Sequence, residues 1–475
     1  VTLLVVGVLA TVLVVGSVVV ALRLRSNITV VDVSDALTEG SVTPPRTEPA
    51  ASSVPEDEPE QPSQPVNILV MGSDTREGQG DAYGSAAVIE GARSDTTLLV
   101  HLAADRRSVT VVSIPRDLVV TLPECTMPDG SRTSPYQDRF NAAFSIGGPE
   151  CTIRTVSALT GLPLQHFVVV DFTAFQAAID ALGGVEVCLT EAVDDPKAGL
   201  SLPAGVSRVG GEQALAFVRA RETLGDGSDL ARIERQQAFL GSLVRESRSR
   251  DLLTDPVRLV RSLDAATRSV TTDEGLAWLP RTVSIARSLA GIEPAAVSFT
   301  TLPYVANDDQ LTVSVDQPRL DLLVAVLAED VPWPFADSSA DPVAVAPDQV
   351  SVAVVNASGR SGQATLVATA LREQGFAVPG LDDAATQPET RVLYPEGAED
   401  QAATVAAAVD GAVLVPDSSV GTVTLQIGES FSLRMLRTVV VAVPATEPPS
   451  DGWVAPDTSL PTGGTTTADT GTCAS

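Results

Sequence analysis

The sequence predicts an α/β protein: a mixed central sheet flanked by helices, a small C-terminal α/β layer, and an N-terminal transmembrane helix. Three observations carry this reading. From Val66 to about Pro332, short β-branched runs alternate with helix-length amphipathic runs, the pattern of a sheet covered by helices. A similar alternation resumes on a smaller scale from Val350 to Phe431. Ahead of both, Val1 to Leu22 carry no charge and consist almost only of Val, Leu, Ala and Gly.

Composition narrows the function. The chain has 475 residues, too many for one ordinary domain, and 44% are apolar. A net charge of −29 argues against nucleic-acid binding, which leaves a basic footprint. Two histidines, His101 and His166, are too few for a His-rich zinc site and read as structural. The single lysine, Lys197, nearly excludes Schiff-base chemistry. An anion site here must be built from Arg, whose planar fork suits phosphate. Neither a Walker A loop nor G-x-S-x-G is present.

The apolar run extends about 33 Å as a helix, enough for a bilayer core. It is longer than the apolar region of a signal peptide and has no convincing A-x-A cleavage site, so it reads as an uncleaved anchor. Arg23 and Arg25 follow it, which taken alone places the following side in the cytoplasm. Long domains translocate largely regardless of such charges. The expectation is a single-pass plasma-membrane protein with its bulk extracytoplasmic. Residues 38–65 then form a Pro/Glu-rich spacer with no core-forming periodicity.

The first domain, residues 66–332, opens with a buried strand over Asn67–Met71 that stops at Gly72-Ser73-Asp74. A Gly-rich loop leads to Arg93-Ser94-Asp95 and a second strand to Leu102. A third strand, Val109–Ile114, ends at Pro115-Arg116-Asp117. Strands two and three are close enough in sequence to pair antiparallel. Asp95 and Arg116 then meet at one sheet edge, and an antiparallel first strand brings Asp74 there as well. Two carboxylates suit Mg²⁺, which keeps waters and takes phosphate oxygens. The bland alternative is that Asp74 shapes a turn, Asp95 caps a strand and Arg116 pairs with Asp117.

Gly148-Pro149 opens a helix that closes at Thr160-Gly161. Phe167–Asp171 is a strand, and Thr173–Leu182 a helix closed by Gly183-Gly184. A helix over Gly211–Val218 delivers Arg219 and Arg221. A long helix over Leu230–Glu246 sets Arg232, Arg235 and Gln236 on one face, with Ile233, Leu240 and Val244 on a core-facing stripe. Four arginines so close repel one another unless anions offset them. Either an anionic ligand or Glu222 and Glu234 can do so. Mg²⁺ on one side and Arg forks on the other describe a pyrophosphate site.

Four cysteines occur without a CxxC. Cys125 and Cys151 flank a Gly/Pro/Ser-rich loop, and either form a disulfide or remain buried thiols. Cys473 lies in a tail, 444–475, expected to be disordered. Residues 333–349 read as a linker. The second domain, 350–431, reads strand (Ser351–Val355), helix (Gln363–Gln374), strand (Phe376–Val378), strand (Arg391–Tyr394), helix (Asp400–Val409), strand (Ala412–Val415), strand (Val423–Ile427). This βαββαβ-like core is consistent with a ferredoxin-like layer. Nothing in it looks catalytic, which suggests a wall-, partner- or self-binding module.

Eight segments occur in a telling order. They are Asn67-Ile-Leu-Val-Met-Gly-Ser-Asp74, Arg93-Ser-Asp-Thr96, Ser113-Ile-Pro-Arg-Asp117 and Asn141-Ala-Ala-Phe-Ser-Ile-Gly-Gly148, followed by Val168-Val-Val-Asp-Phe172, Asp180-Ala-Leu-Gly-Gly-Val185, Ala214-Leu-Ala-Phe-Val-Arg-Ala-Arg221 and Asp229-Leu-Ala-Arg-Ile-Glu-Arg-Gln-Gln237. Together they resemble the LytR-CpsA-Psr (LCP) family. Val352-Ala-Val-Val-Asn-Ala-Ser-Gly359 opens a segment similar to the LytR C-terminal domain. The resemblance implies an LCP-type sheet and a membrane-anchored phosphotransferase. Such an enzyme moves a glycopolymer from undecaprenyl pyrophosphate onto peptidoglycan. It implies Mg²⁺ at Asp74 and Asp95, and pyrophosphate contacts from Arg93, Arg116, Arg219, Arg221, Arg232 and Gln236. Arg116 and Asp95 become the catalytic candidates, with Asp95 as acceptor of the hydroxyl proton. The prenyl chain is expected in an apolar tunnel between sheet and helices. One departure stands out: the loop between Asp74 and Arg93 is longer than in compact members. A polyprenyl-pyrophosphate hydrolase, a protein-glycosylating transferase and a non-catalytic wall-binding or regulatory protein stay open as alternatives.

Overall fold

The structure is a computed structural model. It describes residues 23, 25–39, 64–73, 94–196, 198–220, 229–247, 264, 267, 270–309, 311–336, 342–441 and 466–467. Asp74, Arg93, Arg221 and the apolar run 1–22 lie outside these. Among the described residues no helix is long and apolar enough to cross a membrane. The chain divides into two compact units, one reaching Val315 and reclaiming residues from Gly463, the other from Asp316 to Thr462.

The first unit is built on a mixed sheet. Strands β1 (Val66–Ser73), β2 (Ser94–Leu102) and β3 (Val109–Ile114) form its middle, β4 (His166–Asp171) and β5 (Val270–Thr272) lie on one side, and β6 (Val297–Thr301) on the other. The spatial order is Thr29–Val30, β5, β4, β1, β2, β3, β6, Thr466–Thr467. β2 runs antiparallel to β1 and to β3, with Thr97 opposite Ile114. β4 lies parallel to β1, and Ser73 faces both Ser94 and Asp171. One end of the sheet therefore gathers Ser73, Ser94, Asp171 and the turn after Ile114. Thr466 and Thr467 pair with Phe299 and Ser298, so these two residues of the expected disordered tail are strand.

Both faces of the middle strands are covered. Leu69, Met71, Leu99 and Phe167 are buried on one. Alternate positions Val70, Gly72, Thr96 and Leu98 point to the other. Helices α2 (Phe172–Leu182), α3 (Gly211–Arg219) and α4 (Asp229–Ser247) lie over that second face. Asp171 caps α2 by accepting from the Ala174 amide at 2.8 Å, and Gly183 closes it at φ 85°. Gly211 sits where a Cβ would lie 2.4 Å from the Gln176 carbonyl oxygen, so α3 approaches α2 at backbone distance.

Helix α1 (Ala142–Thr160) begins earlier than Gly148-Pro149 suggests. Gly147 and Gly148 break it, Gly148 at φ 60° and ψ −146°, and Pro149 restarts it. A Cβ on Gly147 would meet Cys151 Cβ at 2.7 Å and the Thr126 oxygen at 2.9 Å. The bare glycine lets α1 press against the loop bearing Cys125. Cys125 and Cys151 are joined by a disulfide, with Cα atoms 5.2 Å apart, rather than being free thiols. Cys188 is also disulfide-bonded.

The second unit has strands β7 (Val352–Asn356), β8 (Leu381–Asp383), β9 (Arg391–Tyr394), β10 (Val413–Pro416) and β11 (Val423–Ile427), with helices α5 (Gln363–Glu373) and α6 (Glu399–Ala408). The second strand falls at Leu381–Asp383 instead of Phe376–Val378, where only Ala377 makes a bridge. The order β8-β7-β11-β9-β10 corrects the ferredoxin-like expectation. β7 and β8 are parallel, as are β9 and β10, because each pair is joined through a helix. β11 inserts between the pairs, parallel to β7 and antiparallel to β9. The segment read as a linker contributes Phe335 and Val343, both buried, the former in this unit's core. The helix Gln317–Ala328 adds Leu322 and Val326 to that core.

Candidate functional site

The site is built at the end of the sheet where β1 stops and β2 starts. Asp95 is the second residue of β2, and Arg116 follows β3 by two residues. Their antiparallel pairing brings them together: Arg116 Nη1 donates to Asp95 Oδ1 at 2.9 Å. Arg116 Nε donates to Asp117 Oδ2 at 3.2 Å, and Asp117 also accepts from Arg139 at 3.1 Å. Arg116 is thus held in a fork between two carboxylates, the Asp95 side chain remaining 35% exposed. The pairing with Asp117 that a purely structural reading expects exists alongside the contact to Asp95.

Helix α4 supplies the second wall. Arg232 and Arg235 are 3% and 4% exposed, far from the solvated surface usual for arginine. Arg232 Nη2 donates to the Asp95 backbone oxygen at 2.9 Å, which ties α4 to the start of β2. Arg235 donates to the Ala220 carbonyl just past α3. Burial, and then the neighbouring charge of Arg232, lower the Arg235 pKa. Two guanidinium groups held so close in a desolvated wall favour an anion beside them. Gln236 reaches the Val218 carbonyl at 3.4 Å. Arg219 closes α3 with its guanidinium 4.4 Å from the centre of the Phe172 ring, a cation–π contact.

Four of these groups ring the mouth of a cavity of about 690 Å³. Asp95, Arg219, Arg232 and Gln236 line its polar part, whereas Val70, Leu98, Phe175, Ile179, Phe239 and Leu243 line the rest. Arg116 stands behind Asp95 and is not part of the lining. Several contributors escaped the sequence reading: Thr96, Asp171, Gln176, Asp195 and Glu212 also border the cavity. The signal for Asp171 was present, since a residue that both ends a strand and caps a helix marks the carboxyl edge of a sheet. Gln237 is buried and donates to Ser113 and Thr301 at 3.1 and 3.2 Å, locking α4 to the sheet. The arrangement can seat a molecule with a charged phosphate head and a long apolar tail.

A hard cation finds partial provision. Among the described residues no group of three or more His, Cys, Asp or Glu gathers in metal-binding geometry. Asp95 presents a partly exposed carboxylate at the mouth beside phosphate-suited guanidiniums, a donor chemistry that fits Mg²⁺ with its water and phosphate ligands.

The fold and cavity define an α/β protein with an apolar, arginine-rimmed cavity between its sheet and three helices. The model of the LytR-CpsA-Psr family matches residues 28–327, and that of the LytR cell envelope-related transcriptional attenuator matches residues 349–431. The chain belongs to the LytR-CpsA-Psr family. It is 33% identical over 392 residues to the cell wall biosynthesis protein LcpA of Corynebacterium glutamicum, covering 74% of each chain. It is 30% identical over 225 residues to the polyisoprenyl-teichoic acid–peptidoglycan teichoic acid transferase TagT of Bacillus subtilis, covering 46% of this chain and 63% of that one. Among solved structures, the LytR-Csp2A-Psr enzyme from Actinomyces oris is 26% identical with a TM-score of 0.43, covering 55% of this chain and 89% of that one.

Proposed function

We propose that this protein is a Mg²⁺-dependent phosphotransferase of cell wall assembly, moving a glycopolymer from undecaprenyl pyrophosphate onto peptidoglycan. The observation that carries this reading is the cavity with an apolar body and a mouth of Asp95, Arg219, Arg232 and Gln236. A prenyl chain fits the body and a pyrophosphate the mouth. The relatives named as transferases of wall polymers point the same way. The run Val1–Leu22 anchors the protein in the plasma membrane, with its bulk extracytoplasmic.

In this reading Arg219, Arg232 and Gln236 hold the pyrophosphate, with Arg93 and Arg221 as further contacts. An acceptor hydroxyl oxygen bonds to the sugar-side phosphorus, and the bridging P–O bond to the prenyl phosphate breaks. The proton passes to a carboxylate, Asp95 where the metal does not fully engage it, and Arg116 fixes its orientation. Arginine charge stabilises the leaving undecaprenyl phosphate, so positioning and electrostatics supply most of the catalysis. Bound at Asp74 and Asp95, Mg²⁺ supplies charge neutralisation on the pyrophosphate.

The test incubates the full chain, in detergent, with a polyprenyl-pyrophosphate-linked sugar and Mg²⁺, with and without peptidoglycan fragments. Acceptor-dependent release of polyprenyl monophosphate is expected. Release without any acceptor identifies a hydrolase, and tight binding of an authentic substrate without release identifies a binding protein.

A further inference from the structure

Arg23 and residues 25–31 enter the fold from one particular direction. Thr29 and Val30 add a short strand to the edge of the sheet, parallel to β5, with Thr29 opposite Thr271 and Val30 opposite Thr272. β5 in turn runs antiparallel to β4, with Val270 opposite Val170 and Thr272 opposite Val168. The start of β5 therefore lies at the Asp171 end of β4, the end at which Ser73, Asp95 and Arg116 gather. The chain reaches Thr29 from that same end. There Arg23 Nε donates to Asp264 Oδ1 at 2.8 Å, and Asn27 Nδ2 donates to Asp264 Oδ1 at 3.0 Å and to Thr267 Oγ1 at 3.2 Å. The Val31 amide continues the edge by donating to the Thr272 carbonyl at 3.0 Å.

The uncharged run Val1–Leu22 leads directly into Arg23. The edge strand stands three strand spacings from β1 and four from β2, about 14 and 19 Å away at the usual separation. The opposite end of the sheet, the Ala103–Ser108 turn after β2, lies about 27 Å farther along a nine-residue strand.

We infer that Arg23 and residues 25–31 are a staple that turns the mouth of the cavity toward the bilayer surface from which an amphiphilic substrate enters. The inference rests on the anchoring proposed above. The occupant of the facing surface is the lipid headgroup layer. Arg25 is exposed where the apolar run ends and suits anionic headgroups. The residues of the staple act by positioning and touch no reacting atom.

The test uses the full chain in vesicles of phosphatidylglycerol and phosphatidylethanolamine carrying a headgroup energy-transfer acceptor. A fluorescent noncanonical residue replaces Val305, exposed four residues past the site end of β6, or Asp105, exposed in the turn at the far end. Transfer is expected to be stronger from position 305 than from 105. An eight-residue Gly/Ser insertion between Asn27 and Ile28, combined with Asp264→Asn, is expected to remove the difference. It should also lower turnover of a long-chain substrate in the same vesicles on the order of tenfold, as a flexible link dilutes the site. Turnover of a water-soluble short-chain substrate should be unchanged. Equal transfer from the two positions, or stronger transfer from 105, overturns the orientation whatever the activity. Full long-chain turnover in the insertion variant overturns the positioning role. A wild-type chain that turns over neither substrate refutes the proposed reaction, while the transfer measurement still decides the orientation.

Discussion

Arg116 touches two carboxylates and stands just behind the cavity lining, so its removal acts on Asp95 rather than on the core. Arg116→Ala is expected to lower transfer by about two to three orders of magnitude, the scale for losing one preorganised electrostatic group. The far-ultraviolet circular dichroism and melting curve should stay close to wild type. Near-normal turnover in a folded variant sinks the assignment. One contribution to acid sensitivity comes from a different residue, Asp273, which is buried with His166. Burial raises its pKa, but His166, by hydrogen bond and charge, and the Phe167 and Leu276 amides outweigh this, leaving it below the usual value. A depressed folded-state pKa gives stability that is present above the unfolded value, about 3.9, and lost as pH falls through the folded one. Asp273→Asn should therefore flatten the loss of stability below about pH 4, seen in denaturant midpoints measured across pH.

At the scale of elements, two close approaches hold the site's frame. The α2–α3 contact depends on a missing side chain at Gly211, because the atom a Cβ would strike is backbone. Gly211→Ala is expected to cost about 1–3 kcal/mol through overpacking. Since α3 carries Arg219, transfer should fall along with the denaturation midpoint; an unchanged midpoint contradicts the packing argument. The Cys125–Cys151 bond fastens α1 to the loop after Leu118–Leu122 across 26 residues. Replacing both cysteines with Ser should cost roughly 2–4 kcal/mol in denaturant unfolding. A reducing agent should cost wild type at least as much, since it also opens the bond at Cys188, and should cost the variant less than wild type.

For the molecule as a whole, the useful division falls before the helix Gln317–Ala328 rather than at Val350. Leu322, Val326, Val331 and Phe335 are buried in the second unit's core. Each such side chain is worth about 1.5–3 kcal/mol when fully buried. A fragment beginning at Asp316 should melt cooperatively. One beginning at Val350 should melt at a markedly lower temperature or stay unfolded, as dispersed amide resonances or their loss will show. Equal melting of the two fragments removes the helix from the folding unit.

Much of this protein was legible because strand pairing is a local matter. The short turn after Leu102 made β2 and β3 antiparallel neighbours, and that register alone brought Asp95 to Arg116. The Gly183-Gly184 pair placed the end of α2, and the expected bounds of α2 and α3 fall within a residue at either end, whereas the Gly148-Pro149 signal set the start of α1 too late. Three things were decided only by tertiary contacts. Helical periodicity put Arg232 and Arg235 on one face, but the packing of α4 over β2 and α3 is what buries them beside each other. The second unit's element order did not specify its sheet order, since β11 chose a central place between two parallel pairs. Nor did the sequence say where the chain leaving the apolar run would attach. The two-residue edge strand at Thr29–Val30 is too short to announce itself, and only its pairing with β5 sets it at the site's end of the sheet. Sequence fixes those features whose partners lie a turn or a hairpin away. Features whose partners are distant along the chain wait on the packing of sheet and helices, because their energies come from burial and not from local propensity.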